Sequence, residues 1–256
     1  MIELYNICKS FDEQEVLQGL NLVIPQGKTT VVLGRSGCGK SVLLKVILRL
    51  MHFDDGRIII GGIDTTQFSE QEMMPIRKKV GMLFQGSALF DSLTVWDNVA
   101  YPLREHTKLP YDEINLRVME LLEFVELPDA ANKLPGALSG GMKKRVALAR
   151  ALVAEPDYIF YDEPTTGLDP ITAGKINLLI KRTKEAFGTT SVVVTHDMIS
   201  AFIVGDYFAF MHEGKIAFDG GLNELIKSEN IALQEFLQEA APKDILQQLL
   251  KVDDTA

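Results

Sequence analysis

The feature that most constrains this chain is a glycine-rich octapeptide, GRSGCGKS, at residues 34–41. An apolar run, TTVVL, precedes it, and a helical pattern, SVLLKVILRLM, overlaps its end. Glycines allow a strand-to-helix loop to curl until its N–H groups face phosphate oxygens, and the helix start adds the positive end of its dipole. The lysine supplies a charge to the β- and γ-phosphates, and the hydroxyl after it is a ligand for Mg²⁺. The pattern predicts a nucleotide-binding loop formed by Gly34, Arg35, Ser36, Gly37, Cys38, Gly39, Lys40 and Ser41.

Charge and composition limit the classes of partner that this chain is expected to bind. The net charge is −9 and the pI is about 5.0, which disfavours a nucleic-acid partner and unaided adhesion to anionic lipid. Cys8 and Cys38 are too far apart for metal-ligand spacing, and a reducing compartment is the expectation. The apolar runs are much shorter than the roughly 20 residues of a membrane-spanning helix. We therefore expect any association with a membrane to depend on a partner.

Strand and helix patterns alternate along most of the chain. IELYNI and LNLVIP alternate apolar with polar residues and predict antiparallel strands, whereas VGMLF, YIFYD and SVVVT predict buried strands separated by helices. An apolar stripe at helical spacing interrupts this rhythm between Pro110 and Leu127. The fold class predicted is therefore α/β: a P-loop NTPase whose mostly parallel sheet is joined by an N-terminal antiparallel β sub-domain and a helical sub-domain insertion at about residues 86–154.

The end of the chain is expected to be separate from this domain. FAFMHEGKIAFDGG predicts a hairpin that turns at Glu213–Gly214, and helices follow it. We place one domain at residues 1–240 and a C-terminal tail at 241–256. The tail is amphipathic, and two alternatives are open for it: packing on its own domain, or an intermolecular contact.

Two predicted strands end in residues suited to hydrolysis. In YIFYDEP, the predicted strand ends in two adjacent carboxylates. Asp162 is placed to hold Mg²⁺ through its water shell, and Glu163 is placed to orient and deprotonate an attacking water. The alternative is an Asp-Glu-Pro turn that caps the next helix. SVVVTHD delivers His196 to the same sheet edge, where it would contact the γ-phosphate. The other histidines, His52, His106 and His212, show no such placement.

A second helix start with anion-binding character lies in LSGGMKKR. Ser139, Gly140 and Gly141 offer a hydroxyl and unencumbered N–H groups in a first helical turn. The basic run that follows, Lys143 to Arg145, is interpreted as a solvated face of that helix, and contact with nucleic acid is disfavoured because the chain is acidic.

Taken in order, these motifs resemble the nucleotide-binding subunits of ABC (ATP-binding cassette) transporters, over nearly the whole chain. GRSGCGKS is similar to the family's Walker A motif, LSGGM to its signature and YIFYDE to its Walker B. The resemblance implies further roles: a Q-loop residue at Gln85, which acts in catalysis and at Mg²⁺, a D-loop residue at Asp169, a switch histidine at His196, and an adenine-stacking aromatic at Phe11. ATP and Mg²⁺ are the implied cofactors, with Ser41, Gln85 and Asp162 as the metal ligands.

The resemblance also implies a head-to-tail homodimer. In the family, each ATP lies between the Walker A loop of one cassette and the signature helix of the other. Met142 departs from the pattern, since most members have Gln there. The Ser-Gly-Gly start is intact, so we expect its contact with phosphate to survive.

The stretch FQGSALFDSLTVWDNVAYPLREH, residues 84–106, is similar to a run found in Mla-type ATPases, which power phospholipid transport between Gram-negative membranes. Ser87 and Asp97 replace Gly and Glu of that run. The resemblance implies a transmembrane permease that docks on the residues after Gln85, through Leu103. It also implies a lipid-binding MCE-domain protein, often a STAS-domain subunit, and a location at the cytoplasmic face of the inner membrane. The alternative for these side chains is that about half pack inside the insertion.

Other members of the family define the alternative functions. One is the ATPase of an importer for a small polar solute. Another is a soluble ABC ATPase of the iron–sulfur assembly type, which has a similar size.

Overall fold

The computed structural model describes residues 1–240, and the predicted tail lies outside the described residues. The chain divides into two compact units. Among the described residues, the first unit comprises residues 1–73 and 190–240, and the second unit comprises residues 74–189. The boundary between residues 73 and 74 falls within helix α2 (Glu70–Arg77).

The first unit begins with an antiparallel sheet. Strand β1 (Ile2–Phe11) pairs with β2 (Gln14–Ile24) on one side and with β4 (Asp55–Ile60) on the other, and β4 pairs with the short β5 (Ile63–Asp64). Alternate side chains of β1 are buried, including Ile2 and Leu4, because successive residues of a strand face opposite sides of the sheet. The predicted N-terminal antiparallel sheet is confirmed.

A second sheet region of this unit carries the glycine-rich loop. Strand β3 (Thr29–Leu33) lies parallel to both β8 (Thr190–Thr195) and β9 (Tyr207–His212), and β10 (Lys215–Gly220) returns antiparallel to β9. Every residue of β3 and β8 is buried, as expected for central parallel strands. Helices α1 (Lys40–Ile47), α7 (Met198–Val204), α8 (Leu222–Ile226) and α9 (Ile231–Ala240) complete the unit.

The predicted hairpin between β9 and β10 is also confirmed. Its two turn residues, Glu213 and Gly214, have φ values of +46° and +71°. Two consecutive residues with positive φ match the right-handed twist of a two-residue hairpin.

The second unit contains two parallel strands and four helices of its own. Strand β6 (Val80–Leu83) pairs in parallel with β7 (Tyr158–Asp162), and the helices are α3 (Val95–His106), α4 (Tyr111–Phe124), α5 (Gly140–Leu152) and α6 (Pro170–Phe187). The apolar stripe predicted near α4 is buried, since Ile114, Val118, Leu121, Leu122 and Val125 are all core residues. The α/β class with parallel strands, an antiparallel N-terminal sheet and a helix-rich stretch agrees with the sequence prediction.

Within residues 1–240, no helix combines the length and the apolar character needed to cross a membrane.

Candidate functional site

The glycine-rich loop connects the end of β3 at Leu33 to the start of α1 at Lys40. Any side chain at Gly34 would place its Cβ 2.6 Å from the Met211 carbonyl oxygen. Gly39 has a φ of +105°, and a Cβ there would lie 2.9 Å from the Met211 methyl carbon. Both positions therefore admit only glycine, and the backbone curls because side chains are absent.

Lys40 places its ammonium group inside the curl of this loop. The side chain is 5% exposed, and its Nζ donates to the carbonyl oxygens of Gly34 at 2.8 Å and Arg35 at 3.0 Å. Helix α1 starts directly after Gly39, so its first-turn N–H groups face the loop without a capping side chain. A buried cation and a bare helix start form a fitting cradle for phosphate groups.

His196 lies beside the loop in the same unit. It follows β8, is exposed, and lines an open pocket of about 350 Å³ together with Arg35 and Ser36 of the loop. Helix α9 closes another side of this pocket, where Glu239 accepts a hydrogen bond from the Arg35 guanidinium at 2.7 Å. The structure thus brings His196 to the loop, and its contact with the γ-phosphate stays a prediction.

Phe11 is available for stacking at the end of β1. Its ring is 41% exposed, and the Lys9 ammonium lies 5.2 Å from the ring centroid. Lys9 is held by Asp54 at 3.0 Å, and the Ser10 N–H donates to the same carboxylate at 2.6 Å. Hydrogen bonds from Lys9 and then Ser10 keep the pKa of Asp54 below its usual value. The Lys9 ammonium therefore makes a cation–π contact with Phe11, and part of the Phe11 side chain remains exposed to a planar ligand.

In the second unit, β7 ends at Asp162, and Glu163 follows it directly; these are the two carboxylates predicted to act in hydrolysis. Asp162 is 6% exposed and Glu163 is 8% exposed. Glu163 has a φ of +48°, a left-handed conformation that is uncommon for residues other than glycine. The Thr166 hydroxyl donates to Glu163 Oε2 at 3.0 Å and so orients the carboxylate. The alternative, a turn that caps the next helix, is wrong because Asp169 caps α6.

Asp169, the predicted D-loop residue, is the N-cap of that helix. Its Oδ1 accepts hydrogen bonds from the N–H groups of Ile171 and Thr172 at 3.1 and 3.0 Å. Hydrogen bonding, above all from the Thr172 side chain, lowers the pKa of the Asp169 carboxyl.

Helix α5 begins where the sequence predicted a helix start, and its binding of an anion stays a prediction. Ser139 is the N-cap of α5, and its Oγ accepts the Met142 N–H at 3.3 Å. Gly140 is exposed, whereas Gly141 packs so closely on α6 that a Cβ would overlap the Thr172 methyl. The Ser139 hydroxyl and two successive glycines, of which Gly140 is exposed, therefore lie at the start of α5.

Gln85 follows β6 and precedes an unusual turn. Its side chain is exposed, and Ser87 and Ala88 after it have φ values of +64° and +49°. Further along, Asn98 is fully buried and exchanges two hydrogen bonds with the backbone of Phe90, at 2.8 and 3.1 Å. The segment after Gln85 is thus an ordered structure rather than a loose loop.

The side chains of residues 84–106 divide between core and surface. Val95, Val99, Ala100 and Leu103 of α3 are buried. Phe90 and Tyr101 are 43% and 38% exposed, with ring centroids 4.7 Å apart. These two rings line a groove of about 490 Å³ with Met82, Phe84 and Arg150.

Two cations of α5 are functional candidates that the sequence reasoning missed. The interpretation of Lys143 to Arg145 as a solvated face is wrong for Lys144, which is 4% exposed and donates to the carbonyl oxygens of Gln85 and Glu163. Arg150 donates to the carbonyl oxygens of Ser87 at 3.0 Å and Ala88 at 2.7 Å. The sequence contained a signal for the burial of Lys144. Its helical spacing places it on one face of α5 with Gly141, Leu148 and Leu152, and all four are buried.

Comparison with known proteins agrees with this geometry. The profile of the family described as ABC transporter matches residues 17–166. The chain is 41% identical over 238 residues to the intermembrane phospholipid transport system ATP-binding protein MlaF of Haemophilus influenzae, covering 93% of this chain and 90% of that protein. It is 40% identical over 236 residues to the probable ribonucleotide transport ATP-binding protein mkl of Mycobacterium tuberculosis, covering 92% of this chain and 66% of that protein.

Solved structures lead to the same class. The dimeric post-hydrolysis structure of the ATP-binding cassette MJ0796 with ADP and Pi is 36% identical, with a TM-score of 0.80 over 87% of this chain and 99% of that chain. The cbiO1 structure from Clostridium perfringens, part of the ABC transporter complex cbiONQ, is 29% identical with a TM-score of 0.82 over 97% of this chain and 98% of that chain. This chain belongs to the ABC transporter family and is one of its ATP-binding cassettes. The predicted ABC ATPase fold is confirmed.

Proposed function

We propose that this chain is the ATP-hydrolysing subunit of an ABC complex that transports phospholipid, with residues 1–240 as its ABC domain. The observation that carries the proposal is the 41% identity, over 93% of this chain, to a protein named for intermembrane phospholipid transport. The side chains at the candidate site are those that ATP hydrolysis requires.

Nucleotide binding is assigned to the first unit. The N–H groups of residues 34–41 and the Lys40 ammonium would bind the phosphates, while Phe11 stacks on adenine. His196, which lines one pocket with loop residues Arg35 and Ser36, would donate a hydrogen bond to the γ-phosphate.

Magnesium is the metal expected with this ATP. Ser41, Asp162 and Gln85 would supply hydroxyl, carboxylate and amide oxygens, which are hard donors of the kind that Mg²⁺ prefers. Bound Mg²⁺ neutralises charge on the β- and γ-phosphates.

Hydrolysis is assigned to Glu163. Its carboxylate would accept a proton from a water molecule as the water oxygen attacks the γ-phosphorus and the bond to the β,γ-bridging oxygen breaks. The hydrogen bond from Thr166 to Oε2 fixes the orientation of this carboxylate. Gln85 would orient the same water through its side-chain amide.

The active form is proposed to be a head-to-tail homodimer. Ser139, Gly140 and Gly141 of one copy would bind the γ-phosphate of ATP held by the second copy, and Asp169 would lie near their common interface. The dimeric state of the MJ0796 cassette supports this assignment.

The transmembrane permease is the proposed partner at the groove lined by Phe90 and Tyr101. The groove is mostly apolar and also carries Arg77, Lys78 and Arg150. An amphipathic helix with apolar and acidic side chains complements such a surface. This docking would hold the cassette at the cytoplasmic face of the inner membrane, in a complex with an MCE-domain protein and a STAS-domain subunit.

Glu163→Gln tests the catalytic assignment. We expect kcat to fall by about 10²–10⁴-fold, the usual contribution of a general base. ATP binding should remain, and a dimer should accumulate with ATP in size-exclusion chromatography. Glu185→Gln, at an exposed position of α6, is the matched control. Hydrolysis by Glu163→Gln at the control's rate would remove Glu163 from the mechanism.

Cargo is tested on the complex purified from membranes. Mass spectrometry should find phospholipid bound to it, together with an MCE-domain protein. Import of a small polar solute is the second candidate, because the name of mkl refers to ribonucleotide transport; a soluble solute-binding protein in place of the MCE protein would favour it. Recovery of the chain outside the membrane fraction would favour the iron–sulfur type of cassette.

A further inference from the structure

Lys144 is a buried cation in the middle of the second unit. It lies on α5, the helix that starts with Ser139 as its N-cap, and it is 4% exposed. Its ammonium donates hydrogen bonds to the Glu163 carbonyl oxygen at 3.3 Å and to the Gln85 carbonyl oxygen.

Burial of this ammonium is unfavourable by itself. Desolvation lowers the pKa of Lys144, although the charges of Asp162 and Glu163 act in the opposite direction. An apolar side chain of similar length would fill the same space without this penalty. The position is therefore better explained by what the ammonium binds than by packing.

The two carbonyl groups belong to residues whose backbone needs support. Glu163 has a φ of +48°, and such a conformation persists only where surrounding contacts hold it. The Gln85 carbonyl precedes a turn in which Ser87 and Ala88 both have positive φ. One ammonium thus fixes the main chain at the proposed general base and at the proposed water-orienting glutamine.

Arg150 reinforces the same arrangement from the same helix. Its guanidinium donates to the carbonyl oxygens of Ser87 and Ala88. Helix α5 therefore holds the segment after β6 at two places, and Lys144 alone of these two cations also holds the end of β7.

We propose that Lys144 is a positioning residue for hydrolysis: its ammonium fixes the backbone of Gln85 and Glu163, so that both side chains are presented to the attacking water from one rigid support. Lys144 binds neither nucleotide nor metal in this role. The inference rests on the proposed roles of Gln85 and Glu163.

Steady-state ATPase kinetics and equilibrium ATP binding on the full chain test the inference. Lys144→Met keeps the length of the side chain but removes the donors, and we expect kcat to fall about 10–100-fold while the KM for ATP and the affinity for ATP stay within twofold. Lys144→Arg restores charged donors and should recover at least half of that loss on a logarithmic scale. Lys143→Met, the half-exposed preceding residue, is the matched control and should behave like wild type.

The outcomes separate this inference from the proposed function. Wild-type kcat in Lys144→Met, or equal changes in kcat and ATP affinity without rescue by arginine, would overturn the positioning role. If Lys144→Met does not fold, Lys144→Gln replaces it, because the glutamine side chain is too short to reach both carbonyls. The expected result is the same loss of kcat at constant KM. Full activity of Lys144→Gln would also overturn the positioning role. An active Glu163→Gln contradicts the proposed function itself, whereas an inactive Glu163→Gln beside a fully active Lys144→Met contradicts only the inference.

Discussion

The loop of the first unit and the turns of the second unit reach unusual backbone conformations in different ways. Residues 34–39 depend on glycine, since a Cβ at Gly34 would collide with the Met211 carbonyl oxygen and Gly39 has a φ of +105°. Ser87, Ala88 and Glu163 also have positive φ values, yet none of them is glycine. Their conformations are supported instead by hydrogen bonds from Lys144 and Arg150 to their carbonyl oxygens.

This difference shows that the glycine-rich loop reaches its backbone conformation through residue type, whereas the turns of the second unit reach theirs through tertiary contacts. A glycine loop can adopt its shape from local sterics, because no side chain opposes it. A non-glycine residue in the left-handed region carries a strain of about 1–2 kcal/mol, which the surrounding structure has to offset. The glycine-rich loop should therefore be disrupted when a side chain is added to it. The turns of the second unit should lose their conformation when a supporting hydrogen bond is removed.

Among the changes that test this difference between the two units, Gly34→Ala should have the largest effect. The new Cβ would lie 2.6 Å from a backbone oxygen, and relief of that overlap should distort the loop at a cost of roughly 3 kcal/mol. ATP affinity, measured with a fluorescent analogue, should fall about 100-fold. Gly37→Ala is the comparison, because no atom lies within 4 Å of its Cβ and only its φ of +82° opposes alanine. Equal losses in both variants would show that conformation, and not the collision, decides.

Arg150→Met should destabilise the second unit by about 2 kcal/mol, because it leaves the carbonyl groups of Ser87 and Ala88 without their donor. Urea denaturation of the full chain measures this change. Ala88→Gly should raise the free energy of unfolding by about 1 kcal/mol alone, because glycine removes the strain of the left-handed conformation. The gain should be smaller in the Arg150→Met background, where the turn can relax once its donor is lost. Strictly additive effects would mean that Arg150 does not hold this turn.

Thr166→Val should lower kcat about tenfold. It removes the hydroxyl that donates to Glu163 Oε2 at 3.0 Å, and a hydrogen bond to a charged group contributes about 1.5 kcal/mol. The KM for ATP should not change, because Thr166 has no proposed contact with nucleotide. Thr166→Ser keeps the hydroxyl and should retain activity, and a serine variant as slow as the valine variant would argue for a packing role.

The smallest effect is expected for Glu239→Ala. This change breaks the ion pair between Glu239 of α9 and Arg35 of the glycine-rich loop, at 2.7 Å. Both side chains are more than half exposed, and such pairs contribute less than about 0.5 kcal/mol. ATP affinity should stay within twofold. A tenfold loss would show that the loop also depends on a tertiary contact, which would weaken the comparison between the two units.

Periodicity predicted the elements of this fold well where burial follows a simple rule. The fully apolar runs at β3, β7 and β8 became buried strands, and the stripe from Ile114 to Val125 became the buried face of α4. The same reasoning misread Lys144 because a run of three cations is normally solvated. Its neighbours Leu148 and Leu152 share its face of α5, so the helical period contained the contrary signal.

The sequence by itself determined the glycine-rich loop, the order of the motifs and the class of the fold, because glycine conformations and apolar periods are properties of a few adjacent residues. Only the tertiary structure decided how Gln85 and Glu163 are held, since Lys144 lies 59 and 19 residues from them along the chain. Contacts over such separations depend on how helices and strands pack, and no local pattern encodes them.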